Sequence, residues 1–69
     1  MITIDYENGQ TKSLTKTFYG MIKGKKFEII ANWNIMDDWY VEHVDWIDDI
    51  GSLEDEELVI EEFYNGLSK

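Results

Sequence analysis

The 69-residue chain contains no cysteine and no proline. Without cysteine it can form neither a disulfide nor a thiolate metal site. Histidine is represented once, by His43, and serine three times, by Ser13, Ser52 and Ser68. Little material is therefore available for nucleophilic or acid–base chemistry. The longest apolar runs fall far short of the roughly 20 residues that cross a bilayer. The opening MITIDY lacks a charged segment followed by an apolar run, so a secretory signal is not expected. These absences predict an intracellular, cytoplasmic protein.

What the chain does have is aromatic bulk and negative charge. Three Trp, four Tyr and three Phe supply large side chains for a core. They are needed, because a domain of this size buries only about 60% of the surface its unfolded chain exposes. One domain spanning residues 1–69 is expected, and a homodimer would be one route to extra stability. Fifteen acids against six basic residues give a net charge of −9. The acids are not spread evenly. Residues 1–36 hold three acids against five lysines, a sum of +2. Residues 37–69 hold twelve acids against Lys69 alone, a sum of −11. Such asymmetry is the footprint of a surface directed at a partner. Nucleic acid and anionic membrane would be repelled, so neither is an expected direct partner.

Ile2, Ile4 and Tyr6 alternate with polar residues, the period of a half-buried strand. Asn8-Gly9 follows and predicts a hairpin turn. Gln10 to Lys16 has only Leu14 as an apolar residue and fits either strand or loop. Thr17 to Lys23 reads as a strand, with Phe18, Gly20 and Ile22 on one face and Tyr19 and Met21 on the other. Lys23-Gly24 predicts a tight turn into Lys25 to Asn34, where Phe27, Ile29, Ala31 and Trp33 alternate with Lys26, Glu28, Ile30 and Asn32. After a turn at Met36-Asp37-Asp38, Trp39 to Ile47 forms a fourth strand. Bulky groups occupy both of its faces, which predicts either a second covered face or a bulge. Ser52 caps a helix, with Asp55 completing a capping box and Gly66 as its stop. A helical wheel places Leu53, Val59, Ile60, Phe63, Tyr64 and Leu67 on one side. Glu54, Asp55, Leu58, Glu61 and Glu62 fall on the other. The fold expected is α+β: a three- to four-stranded antiparallel β-meander with one C-terminal amphipathic helix packed on it.

Enzymatic chemistry finds no support in these residues. Ser52 is explained as a cap and Ser68 is terminal, so a Ser–His–Asp arrangement would require Ser13 beside His43. General acid–base work needs a carboxyl desolvated in a pocket, for which so small a domain has little room. Asp45, Asp48 and Asp49 do not follow the spacing of a calcium loop, and one histidine without cysteine is a poor zinc site. No catalytic residue, metal or cofactor is expected. Lys12, Lys16, Lys23, Lys25 and Lys26 lie near Phe18 and Tyr19, a combination that can stack bases, but the net charge opposes it.

The acidic stretch remains. Met36 to Glu62 carries twelve carboxylates and no lysine or arginine. Carboxylates two apart on a strand lie about 6.6 Å from each other, and those four apart on a helix lie about 6 Å apart along its axis. Glu54, Glu57, Glu61 and Glu62 can form a ridge, which Asp37, Asp38, Glu42, Asp45, Asp48 and Asp49 would extend. Proteins that bind DNA set lysines and arginines to meet phosphates, and an array of carboxylates can occupy the same groove.

In size, charge and the acidic run Asp37–Glu62, the chain resembles the small DNA-mimic inhibitors made by bacteriophages. They act on nucleoid proteins, restriction enzymes, uracil-DNA glycosylase or CRISPR effectors, and include the HU-directed kind found in Bacillus phages. The resemblance implies a stoichiometric inhibitor in the host cytoplasm, dimeric and without a cofactor. Its partner would be a basic DNA-binding protein of nucleoid or nuclease type. From the residues, the expected contacts are Asp48, Asp49, Glu54, Asp55, Glu57, Glu61 and Glu62, with Leu58 and Trp39 as apolar anchors. The alternative is a structural or assembly protein acting through the aromatic face of Trp39–Ile47.

Overall fold

The computed structural model describes residues 1–12, 14–36, 38–48 and 50–67. In chain order they form β1 (Ile2–Lys12), β2 (Thr15–Ile22), β3 (Lys25–Asn34), β4 (Asp38–Trp46) and α1 (Leu53–Leu67). The strands make one antiparallel sheet in the order β1-β2-β3-β4. Short connections force this meander, because each strand can pair only with the one just laid down. The helix then crosses one face. The α+β expectation holds.

The core follows from the period of two. Phe27, Ile29 and Ala31 of β3 are fully buried, and Phe18 and Ile22 of β2 are 2% exposed beside them. The register Phe18↔Ile29 and Ala31↔Val41 places these side chains on the same face. Val59 and Phe63 of α1, one turn apart, close over them. Phe63 stacks on Tyr6 at 5.9 Å and meets Phe18 edge-on at 4.8 Å between ring centres. Burial of several aromatic rings at one point is how so short a chain obtains a core.

Lys23-Gly24 turns as expected. Ile22 pairs with Lys25 across it, and both turn residues have positive φ, 51° and 77°. That is the backbone of a type I′ turn, which matches the twist of the flanking strands.

Asn8-Gly9 is not a turn. Both residues lie inside β1, which runs on to Lys12, so Gln10 to Lys12 is strand. Asp5 is the cause. Its Oδ1 accepts from the Glu7 and Asn8 amides at 2.9 and 3.1 Å, and its Oδ2 from the Asn8 side chain at 2.9 Å. The strand bulges between Asp5 and Gln10 and then resumes pairing with β2. The hydrogen bond from Asn8, followed by those from the two amides, holds the Asp5 carboxyl below its ordinary pKa.

In β4 the bulge alternative is the one realised. Ile30 pairs with His43 but Ala31 with Val41, so Glu42 is the extra residue. One inserted residue shifts the face of everything after it. Trp39, Val41, Val44 and Trp46 thereby all pack toward the core. Both faces of the sequence look bulky because the alternation changes phase at Glu42.

The helix also differs from its wheel. Leu53, expected on the apolar side, is 79% exposed, and Asp55, expected outside, is 4% exposed. Gly66 lies within the helix rather than after it. A Cβ there would overlap the Tyr6 hydroxyl, which donates to the Glu62 and Phe63 carbonyls at 3.3 and 3.2 Å. Glycine is thus set by the approach of β1, whose Tyr6 hydroxyl ties the C-terminal half of α1 to the sheet. The opposite face of the sheet carries Tyr19, Ile30 and the exposed Met21 and Tyr40. No helix among the described residues is long and apolar enough to cross a membrane.

Candidate acidic partner-binding surface

The site begins at the helix start. Ser52 Oγ accepts from the Asp55 amide at 3.1 Å, and the Ser52 amide donates to Asp55 Oδ2 at 3.3 Å. This reciprocal pair satisfies two donors at the helix N-terminus, with aspartate in the role usually taken by glutamate. Asp55 Oδ1 accepts from Lys23 Nζ at 2.8 Å, and Lys25 Nζ lies 3.9 Å from Oδ2. The Lys23 hydrogen bond is the chief reason that the Asp55 carboxyl sits below its ordinary pKa, outweighing burial, which pushes it up. The same bond raises the Lys23 ammonium. Asp55 is therefore an internal fastener between α1 and the β2–β3 turn. It is removed from the set of partner contacts, because its carboxylate is buried and already held.

Trp39 is removed as well. It is half-buried, packed against the core, with its ring edge-on to Phe18 at 5.8 Å and 85°. The bulge at Glu42 is what leaves it facing inward.

Glu54, Glu57, Glu61 and Glu62 are all exposed, and Leu58 is 40% exposed among them. The ion pairs among the described residues join Asp55 to Lys23 and Lys25, and the His43 ring lies 3.4 Å from Asp45, so none neutralises these glutamates. Asp48 is exposed just after β4. Asp49 and Asp37 lie outside the described residues. The remaining β4 acids are divided. Asp38 and Asp45 pair with Asn34 and Glu28 on the face of the sheet away from the helix, and Asp45 stands 3.4 Å from His43 there. Glu42 accepts from the Asn32 side chain at 2.5 Å. They do not extend the helix ridge, which is narrower than the sequence run implies.

The lysines are also engaged. Besides Lys23 and Lys25, Lys16 lies 4.8 Å from the Phe18 ring centre and donates to the Tyr6 carbonyl at 3.2 Å. Three of the five lysines proposed for base stacking thus serve the fold. Sequence reasoning missed Tyr64 as a fastener. Its hydroxyl accepts from the Val41 amide at 2.8 Å, tying the end of α1 to the edge of β4.

The capping arrangement predicts two measurable effects. Ser52→Ala should cost about 1 kcal/mol, lowering the melting temperature by roughly 4–8 °C. The depressed Asp55 pKa means that its contribution is present above the ordinary value of 3.8. It is lost as pH falls through the lower value of the folded state. Denaturant midpoints should therefore fall on acidification below about pH 4, and Asp55→Asn should flatten that part of the curve. An unchanged acid limb in Asp55→Asn would contradict the assignment.

Among the described residues no group of three or more His, Asp or Glu could hold a metal ion. Two open grooves formed by described residues bear on the surface. One, of about 410 Å³, is lined mainly by Thr3, Tyr19, Met21, Lys26 and Ile47 on the uncovered sheet face. The other, of about 420 Å³, lies between α1 and the β1–β2 pair beside Leu58. Comparison with family models, curated proteins and solved structures finds no match to this chain in any of the three.

Proposed function

We propose that the protein is an acidic inhibitor that presents one face of α1 to a basic DNA-binding protein and competes with DNA for it. One observation carries the reading: Glu57 and Glu61 are exposed, without an ion-pair partner among the described residues, where they cost the helix stability, and exposed Glu62 follows them. The acids of the first turn, Glu54, Asp55 and Glu56, complement the positive end of the helix dipole and need no further account. Glu57 and Glu61 are like charges four apart, an arrangement that opposes helix formation by a few tenths of a kcal/mol. No basic residue occupies the last turn to offset them. Charge held against its own helix is charge with an outside use.

The test is an affinity capture from a bacterial lysate, with the protein immobilised and washed over a salt gradient. A basic DNA-binding protein should be retained, and should leave with rising salt or with added DNA, since exposed charge pairs are screened. Recovery of no basic protein would sink the proposal.

The uncovered sheet face favours a second reading, as a homodimeric or assembly surface. Met21 and Tyr40 are 43% and 40% exposed, and Ile47, 50% exposed, lines one groove with Met21. Trp39 and Val41 do not test this reading, because they pack against the core. Ile47→Asp does. If assembly is the function, it should dissociate an oligomer seen by sedimentation, while lysine at Glu57 leaves the oligomer intact.

A further inference from the structure

Asn8-Gly9 lies inside β1 and makes no turn, yet the dipeptide has a chemistry of its own. Glycine has no side chain to shield its amide nitrogen, so that nitrogen can reach the carboxamide carbon of the asparagine before it. Once the Gly9 amide gives its proton to hydroxide, its nitrogen attacks Asn8 Cγ. The Cγ–Nδ2 bond breaks, ammonia leaves with a proton from water, and a succinimide ring remains. Water then opens the ring at either carbonyl, giving aspartate or isoaspartate.

The position of Asn8 in the fold permits this. It is exposed, and strand pairing is interrupted around it. Tyr6 to Gly9 stand opposite Phe18 alone, between the pairs Asp5↔Tyr19 and Gln10↔Thr17. A regular ladder would fix the backbone on both sides of the asparagine. Gly9 cannot be exchanged for a less reactive neighbour, because a Cβ there would overlap the Thr17 carbonyl oxygen. The approach of β2 therefore keeps the reactive pair in the chain.

One contact opposes the reaction. Asn8 Nδ2 donates to Asp5 Oδ2 at 2.9 Å, which draws the carboxamide back along the chain, away from Gly9. A hydrogen bond to a carboxylate is stronger than one to a neutral acceptor, and Asp5 Oδ1 is fixed in turn by the Glu7 and Asn8 amides. We propose that Asn8 is a deamidation site whose rate is set by release of its carboxamide from Asp5, and that the product irreversibly unlocks the β1 bulge. The new carboxylate stands where the amide donor stood. Two carboxylates within hydrogen-bond distance repel each other, and the hydrogen bond from the Asn8 side chain is the chief support of the Asp5 charge. Asp5 then releases the two backbone amides that shape the bulge.

The experiment holds the full chain in mildly alkaline buffer at physiological temperature, digests samples at intervals and reads the peptides by mass spectrometry, where each conversion adds one mass unit. Asn65-Gly66 is the internal clock. It is the same dipeptide set in α1, so it reports general unfolding. Asn8 should convert in the wild-type chain. Asp5→Ala should speed that conversion about tenfold, the effect of losing one charge-assisted hydrogen bond, and should leave Asn65 unchanged. Asp5→Asn, which keeps an acceptor oxygen without the charge, should give a smaller increase, and it carries the test if Asp5→Ala does not fold. Asn8→Asp supplies the aspartate product directly. It should lose hydrogen-exchange protection at the Glu7 amide while circular dichroism shows it folded. Equal acceleration at Asn8 and Asn65 in the Asp5 variants overturns the role of Asp5. No conversion at Asn8 in any of these chains overturns the site. Unchanged protection at Glu7 in Asn8→Asp overturns the unlocking of the bulge.

Discussion

Phe63→Ala should remove most of the stability of this protein. Phe63 is fully buried and touches the rings of Tyr6, Phe18 and Tyr64, at 5.9, 4.8 and 5.6 Å between centres. It is the point at which β1, β2 and α1 meet. Truncating a buried phenylalanine costs about 3–5 kcal/mol, from lost transfer energy plus the cavity left behind. At about 0.05–0.15 kcal/mol per residue, a domain of this length has a total of roughly 3–10 kcal/mol. The substitution should therefore lower the melting temperature by at least about 15 °C or abolish a cooperative transition altogether. Leu53→Ala is the internal control. Leu53 is just as apolar in sequence but is 79% exposed, so its loss should stay within about 0.5 kcal/mol. Thermal melts of the two variants side by side decide the matter. Equal effects would mean that α1 is not anchored through Phe63.

The contrast between Leu53 and Phe63 also shows where sequence pattern carries information and where it does not. β3 was legible to the residue, Lys25–Asn34, because a central strand with one covered face displays the period of two with nothing to disturb it. The Lys23-Gly24 turn and the Ser52 cap were legible because each depends on local backbone geometry. Asn8-Gly9 misled for a physical reason: the Asp5 carboxylate takes the Glu7 and Asn8 amides first, and local side-chain bonds compete with the backbone pattern. The signal was present as an aspartate three residues before Asn8. The bulge at Glu42 left a trace too, in two faces that both looked bulky.

The site was legible in part. Glu54, Glu57, Leu58, Glu61 and Glu62 stand at the surface as their helix positions imply. Asp55 does not, and its spacing could have shown this. It lies four residues before Val59 and eight before Phe63, on the stripe that enters the core. A carboxylate on that stripe needs a buried partner, and Lys23 supplies it from a turn 32 residues away in the chain. That partner is set by the meander, which the helix sequence by itself cannot reveal. Division of the β4 acids between two surfaces was equally hidden, because a single inserted residue decides which face each one takes.

Glu61→Lys should make the protein more stable and worse at its proposed task. In the folded chain Glu57 and Glu61 are exposed with no lysine paired to either among the described residues. The substitution replaces a repulsive pair by Glu57 followed four residues later by a lysine, the favourable orientation on a helix. The gain should be about 0.5 kcal/mol. Binding should move the other way. Against the basic protein recovered by affinity capture, a reversed charge meets like charge. Two such reversals, Glu57→Lys with Glu61→Lys, should weaken affinity by about 100-fold at low salt, or about 2.8 kcal/mol. The loss should shrink as salt rises, because the Debye length falls from about 10 Å at 0.1 M to about 3 Å at 1 M. Urea denaturation and a binding titration on the same samples give both quantities. An acidic helix that serves solubility alone would show the gain in stability without the loss of binding. That outcome would remove α1 as the recognition surface and leave the uncovered sheet face as the place where this protein meets its partner.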